Sequence, residues 1–413
     1  MMKFAHMADC HIGSWRDPKL KNAAVRAFNK AVDMCIEKNV DFILVSGDLF
    51  NTSIPSIDSL KETVEKLKEL KDRDIPVYII AGSHDFSPSG KTMLDILEKA
   101  GLFVNVSKGE VIDEKLKLKF TIDKKTGAKI TGMLGKKGGL EKEYYQNLMK
   151  ENLEKEEGYR IFMFHSALTE FKPEELKEMD SHPLSLFPKN FDYYAGGHVH
   201  YRFKKEEPGY GTIVFPGPLF PNNFKEIEDL ERGSFYFVEV EKEEQRYNTK
   251  THQEPVQIYN TFKINIDAKN KTPVQVEEEI DKKIKGKEFN NTIITIRIKG
   301  TLLSGKQSDI NFKEIFEKLY NKSAYFVMKN ISKLKTKEFE EIKVEKGSVD
   351  DVETKLIKEH LGQIKVAGFD PQKEERLIND LMSALSAEKQ EGETVTAFES
   401  RLKSEIDSIL NLE

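Results

Sequence analysis

The stretch KFAHMADCHIG, residues 3–13, sets an apolar run against two residues with ligand chemistry, Asp9 and His11. KFAHMA reads as a β-strand, and the Asp-x-His pair lies at its carboxyl end. The same arrangement recurs four times. DFILVS leads into Gly47-Asp48, IPVYIIA into Gly82-Ser83-His84-Asp85, RIFMF into His165, and FDYYAG into Gly197-His198-Val199-His200. Several strand ends carrying Asp or His, with glycines beside them, are what an α/β sheet needs to assemble one site at its carboxyl edge. Carboxylate and imidazole are hard-to-borderline ligands suited to manganese, iron or zinc. Singly, Asp9, His84 or His165 would read as a satisfied structural residue; the ordered series of five points to metal.

Helical segments separate these strands. Residues 18–38 place Leu20, Ala24, Ala27, Phe28, Ala31 and Met34 on one face, and residues 56–72 do the same with Ile57, Leu60, Val64, Leu67 and Leu70. That βαβ rhythm predicts a largely parallel sheet with helices outside. Residues 116–122 and 128–133 read as a hairpin around Thr126-Gly127, and strands at 212–216 and 234–240 complete a second sheet. The expected fold is therefore α/β, a two-sheet sandwich. The polar segment 241–256 lacks periodicity and reads as a boundary. Residues 257–335 alternate strand-like and helical runs, a small α+β domain. A charged connector with a helix at 349–364 follows, then amphipathic helices at 371–388 and 394–411. Two such helices in isolation cannot bury both apolar stripes against each other, so they either pack back on their own chain or, the reading their place after a charged connector favours, form a docking site for helices of a partner.

The 413 residues are 38% hydrophobic and 33% charged, which describes two or three soluble domains and excludes a disordered chain or a membrane protein. No apolar run is long enough to span a bilayer, and no secretory leader precedes the first strand. The only two cysteines, Cys10 and Cys35, read as reduced core thiols, Cys10 pointing to the strand face opposite its neighbours. These readings predict a cytoplasmic protein. The net charge of −5 hides an asymmetry: residues 261–340 hold 17 Lys/Arg against 11 Asp/Glu, a net of +6. A basic domain beside an acidic one suits a polyanion gripped at one surface and a cation held at another, although charge alone reads slightly more readily as a solvated lysine-rich surface.

Two adjacent cations need a bridging anion, and Asp48, flanked in the series by other patches, is the natural candidate. Asp9, His11 and His200 complete one site; His165 and His198, with a group from the 82–85 loop, complete the other. Such a pair binds a phosphoryl oxygen and activates a water for in-line displacement. The order D-x-H, G-D, G-[NS]-H-D, H, G-H-x-H resembles the calcineurin-like metallophosphoesterase superfamily over about the first 240 residues. Within it, MADCHIG and SGDLF are similar to the meiotic recombination eleven (SbcD-like) nucleases of archaeal type. That resemblance implies a homodimeric exonuclease and endonuclease acting on DNA ends with two manganese ions, nucleoid-associated in a prokaryote. It implies a nuclease domain over 1–245, a DNA-capping domain over 257–335, a connector over 336–370, and docking of an SMC-like ABC ATPase on 371–413. Carried over, it puts Asp9, His11, Asp48 and His200 on one manganese, with Asp48 bridging to a second held by Ser83, His165 and His198. His84 would contact the scissile phosphate and assist the leaving group, and Asp85 would orient its ring.

Two positions depart from the family pattern. Ser83 stands where Asn is usual, a shorter ligand without a carbonyl, so the second metal is expected to be held more weakly or through a bridging water; Ser83 reads equally as a residue that closes the turn without touching metal. Asn51 stands where related nucleases often carry a histidine that positions the strand, which puts processive digestion in question more than cleavage. Two rivals follow: a DNA-end tethering subunit with weak catalysis, and a generic metallophosphoesterase acting on small substrates. The second would need neither a basic domain nor amphipathic tail helices. His6 reads as core, His182, His252 and His360 as surface or loop, Trp15 as packing, and 136–139 as a solvated loop in preference to a phosphate contact.

Overall fold

Two six-stranded sheets face each other across an apolar layer. The computed structural model describes residues 1–87, 92–244, 246–336, 371–387 and 395–410. The first sheet runs Arg246–Val256, Gly233–Glu243, Met2–Met7, Phe42–Ser46, Val77–Ile80, Val104–Asn105; its last four strands are parallel. The second runs Phe203–Glu207, Gly211–Phe215, Tyr193–Gly197, Arg160–His165, Lys129–Met133, Thr121–Ile122, with its four middle strands parallel. Strand residues alternate between the two faces. In Met2–Met7, Phe4 enters the layer between the sheets while Ala5 and Met7 face the outer helices. Phe4 stacks on Phe42 at 5.1 Å and meets Tyr193 edge-on at 5.2 Å, joining both sheets behind the site.

The helix Pro18–Glu37 covers the outer face of the first sheet. Asp17 caps it by accepting from the Lys19 N–H, Pro18 opens its first turn, and Leu20, Ala24, Ala27, Phe28 and Ala31 are buried beneath it. Because strand and helix directions alternate in this way, the parallel strands all end at one edge. Every candidate ligand sits on a loop leaving that edge or on the last strand residue.

Three expectations need correction. Strand Gly233–Glu243 pairs antiparallel with Met2–Met7 and so belongs to the first sheet. Residues 246–256 are a full strand, registered from Gly233↔Val256 to Glu243↔Arg246. That strand is an exposed edge, so its period of two is carried by Tyr247, Thr249 and Thr251 in place of aliphatic residues, and no hydrophobic alternation marks it. Thr121–Ile122 does pair with Lys129–Met133, but Lys115–Leu118 pairs with Gly109–Ile112 in a separate ribbon.

Residues Asn260–Asp267, Thr292–Leu302 and Ala324–Thr336 form a three-stranded sheet carrying helices Pro273–Ile284 and Phe312–Asn321, with a core of its own around Ile264, Ile280, Ile296 and Leu319. It belongs to the same compact unit as the two large sheets, Met1–Lys335. Tyr259 stacks on Tyr325 at 4.1 Å, Arg26 donates to the Tyr259 hydroxyl at 2.5 Å, and Arg297 pairs with Glu228 at 2.5 Å across the junction. A second unit, Thr336–Glu413, contributes helices Pro371–Leu385 and Val395–Leu410, which pack on each other. The helix expected at 349–364 lies outside the described residues.

Candidate metal centre

Five candidate ligands adopt left-handed backbone conformations: Asp9 (φ 52°), His11 (φ 40°), Asp48 (φ 53°), His198 (φ 89°) and His200 (φ 44°). Residues other than glycine hold such angles at a cost of about 1 kcal/mol or more, so their concentration at one strand edge marks a site. The backbone is tied across the loops: Asp9 N–H donates to Gly47 O at 3.1 Å and His11 N–H to Asp48 O at 2.9 Å. Gly82 lies so close to Asp48 that a Cβ there would collide with its Oδ1 and backbone nitrogen.

The side chains converge. His11 Nε2 lies 2.9 Å from His200 Nε2 and 3.5 Å from Asp48 Oδ2, while His200 Nε2 lies 3.6 Å from Asp9 Oδ1. On the other side His165 Nε2 lies 3.2 Å from Asp48 Oδ2. Asp48 thus stands between two groups, Asp9–His11–His200 and Asp9–His165, and His84 completes a third with His11 and Asp48. Ligands bonded at ~2.1 Å lie roughly 3.0–3.4 Å apart around an octahedral or tetrahedral ion, which is the spacing of these donors. Asp9, Asp48 and His165 are at most 2% exposed. Among the described residues, the buried His165 Nε2 pairs only with the Asp48 carboxylate. A cluster of buried, mutually facing donors of this kind fits divalent cations.

Electrostatics agree. Burial would lower His165, but the Asp48 charge and hydrogen bond outweigh it and hold the ring up to about 10. Burial likewise opposes His200, and the Glu226 bond with the Asp9 charge lifts it to about 9. Burial lowers His11 to about 3, and burial with the His165 charge lowers His198 to about 4. Asp48 is held well below the usual carboxylate range: His165 and His11 overcome its burial. In the metal-free protein, protons on two imidazoles supply positive charge that cations would otherwise provide.

Outer contacts fix the rings. His165 Nδ1–H donates to Ser46 O at 2.8 Å, and His200 Nδ1–H to Glu226 Oε1 at 2.9 Å, leaving both Nε2 atoms toward the cluster. Glu226 is set by Asn222 N–H at 2.8 Å and by the Asn223 side chain at 2.6 Å. Behind Ser46, His6 bridges its hydroxyl and that of Tyr193, each at 3.0 Å. The Ser46 hydroxyl donates to Ala195 O at 2.9 Å, so it accepts from His6 Nε2–H, and Tyr193 donates to His6 Nδ1.

The remaining predicted residues are placed as follows. His198 reaches the cluster through its N–H on the Asp9 carboxylate, at 3.0 and 3.1 Å, and its ring meets His165 at 5.1 Å. Ser83 is buried and shares a cavity wall with His84 and His198. His84 donates its backbone N–H to Asp48 Oδ1 at 2.8 Å. Asp85 does not orient the His84 ring: its carboxylate accepts from the N–H groups of Leu49, Phe50 and Gly82 at 3.1–3.2 Å. Three backbone donors saturate it, and the ring is held by Asn51 O, 2.8 Å from His84 Nδ1. Asn51 therefore acts here through its carbonyl. His182, expected at the surface, is buried and bonded to Glu141 at 2.9 Å. Glu226, Glu141 and Ser46 carried no motif spacing; only the Asn-Asn-x-x-Glu helix start around Glu226 gave a local signal.

A two-sheet sandwich with Asp and His at five strand ends defines a metal-dependent phosphodiester hydrolase. Residues 2–202 match the calcineurin-like phosphoesterase family. Among the chain's relatives are proteins named DNA double-strand break repair protein Mre11. That of Methanococcus maripaludis is 26% identical over 382 residues, 86% of this chain and 91% of that protein. That of Methanopyrus kandleri is 29% identical over 254 residues, 58% and 54% of the two chains. That of Thermoplasma acidophilum is 33% identical over 203 residues, 47% and 50%.

Proposed function

We propose that this protein is a nuclease that processes DNA ends at double-strand breaks, using two manganese ions. The observation that carries this reading is the convergence of Asp9, His11, Asp48, His165 and His200 on one buried cluster beside His84. Relatives that bear a break-repair name over most of the chain's length support the choice of DNA over a small ester. Asp9, His11, Asp48 and His200 hold the first ion; Asp48, His165, His198 and Ser83 hold the second. Bound there, the ions supply Lewis-acid chemistry, neutralising a phosphoryl oxygen and lowering the pKa of a water. His84 has its Nδ1–H committed to Asn51 O, so Nε2 is the atom free to meet the scissile phosphate and, when protonated, to give its proton to the leaving oxygen.

The segment 257–335 caps the site and grips DNA. The homodimer forms through the helices Ile57–Asp72 and Met93–Lys99, where Ile54, Ile57 and Ile96 are 72%, 82% and 59% exposed. An SMC-like ATPase docks on Pro371–Leu385 and Val395–Leu410. No helix among the described residues is long and apolar enough to cross a membrane.

The test is cleavage of a labelled linear duplex in manganese, magnesium and chelator, with His84→Ala alongside. Manganese-dependent cleavage should fall by about 10²–10⁴ in the variant. The short Ser83 hydroxyl favours one second reading, a tethering subunit with little catalysis. Duplex binding that survives chelation without cleavage in any metal would establish that reading, and Ser83→Asn should then raise activity.

A further inference from the structure

The short helix Phe224–Leu230 engages the metal centre on one side and the segment 257–335 on the other. Asn223 opens it by accepting from the Glu226 N–H at 2.9 Å, and Ile227, 1% exposed, anchors it in the core to which Tyr259 and Ile293 also belong. Residues two apart on a helix point to opposite sides. Glu226 accordingly turns to His200 Nδ1, at 2.9 Å, while Glu228 turns to Arg297 on the strand Thr292–Leu302. The loop that carries His200 is also tied to the far end of the helix: Arg202 donates to Leu230 O at 3.2 Å and to Arg232 O. Loop and helix are thus joined at both ends.

Arg297 grips the helix closely. Its Nε–H and Nη2–H both donate to Glu228 Oε2, at 2.8 and 2.5 Å, and its guanidinium lies 5.0 Å from the centre of the Phe224 ring. The Glu228 side chain is 11% exposed, its buried Oε1 has no hydrogen-bond partner, and Arg297 is its only ion-pair partner among the described residues. A buried carboxylate that loses its one counter-charge is driven toward water. A seven-residue helix that turns to expose Glu228 carries Glu226 away from His200. The second tie to the segment, Lys263 to Glu231 at 2.6 Å, is more exposed on both partners, and such pairs contribute little.

We propose that Arg297 is a positioning residue for the metal centre: through Glu228 and the helix it holds Glu226 on His200, so the placement of the segment 257–335 sets how firmly His200 is presented to its ion. This rests on the metal centre of the nuclease reading and not on DNA as the substrate. The coupling is reciprocal by linkage, so loading the centre should in turn tighten the Arg297 contact.

Calorimetric titration with manganese and amide hydrogen exchange on the full chain test it without a cleavage assay. Arg297→Met should weaken the ion held by His200 about 3–10-fold, less than the loss of a direct outer contact, and leave the other ion within about twofold. In a Glu226→Gln background the same substitution should add nothing, because the route to His200 is already cut. A merely structural Arg297 would instead add its full loss there. The exchanged pair, Arg297→Glu with Glu228→Arg, should recover most of the affinity. In the wild-type protein, manganese should slow exchange in Asn260–Asp267 and Thr292–Leu302 more than in the helix Pro273–Ile284 on the far face of the same sheet, a measurement that stands even where Arg297→Met does not fold. Unchanged affinity in folded Arg297→Met, additive losses in the double variant, or equal slowing in strands and helix would overturn the proposal and leave the nuclease reading intact. Wild-type protein that binds no manganese would remove both.

Discussion

Consider loading the metal-free protein with manganese at pH 7 and counting the protons released. His165, held up to about 10, and His200, at about 9, are both imidazolium at that pH. His11, at about 3, and His198, at about 4, are neutral, and Asp48 is already ionised. On each charged ring the Nδ1–H is committed, to Ser46 O and to Glu226, so the proton that must leave is the Nε2–H facing the cluster. Complete loading should release about two protons. The sign follows: below pH 9 each unit of pH should strengthen overall metal binding by about 10², and the slope should flatten between pH 9 and 10. At pH 7 the two deprotonations cost about 4 and 3 kcal/mol. Both raised values also stabilise the metal-free fold below about pH 6.5, and that contribution is lost as pH rises through 9 to 10. Calorimetry at pH 7 in buffers of different ionisation enthalpy gives the count directly. Release of less than one proton would refute the assignment of charge to His165 and His200.

Glu226→Gln keeps the shape but removes the carboxylate from His200, and should weaken metal binding by about 10–100-fold in a calorimetric titration with little change in fold. Gly82→Ala places a Cβ against Asp48; it should destabilise the protein by about 1–3 kcal/mol in denaturant unfolding and displace the bridging carboxylate, so that metal no longer raises Tm. Ile57→Glu puts a charge on the most exposed of the large aliphatic side chains near the expected dimer contact, and sedimentation should then report a monomer where the wild-type protein is a dimer; a monomeric wild type would end that expectation.

The five ligand-bearing strands were legible because each is an apolar run closed by Gly, Asp or His, the near-continuous hydrophobic stretch of a strand buried on both faces. The helix 18–37 was legible from its alanine-rich apolar face. The edge strand 246–256 was not, because a strand with solvent on its outer side needs no apolar alternation. The candidate ligands could be read because metal coordination restricts residue type. Their supports could not: Ser46 O and Asn51 O act through backbone carbonyls, which every residue possesses, so side-chain identity carries no trace of the role. His182 misled for a related reason. A lone histidine among prolines and charges reads as surface until the fold brings Glu141 beneath it.

The Asn51 contact separates two functions that sequence alone runs together. Position 51 holds the His84 ring by its carbonyl, and that bond depends on the backbone path, itself fixed by Asn51 N–H on Ile12 O at 3.1 Å and by the Asp85 carboxylate on Leu49 and Phe50. Replacing a histidine by asparagine at this position therefore leaves the His84 tautomer unaltered. The Asn51 side chain takes no part in the bond that presents His84. Ser83 differs in kind, because there the departure removes side-chain reach from a position expected to bind the second ion directly. On the proposed reading the two departures would therefore bear on separate steps: Asn51 on the progress of digestion along a strand, and Ser83 on the occupancy of the second ion beside Asp48 and His165.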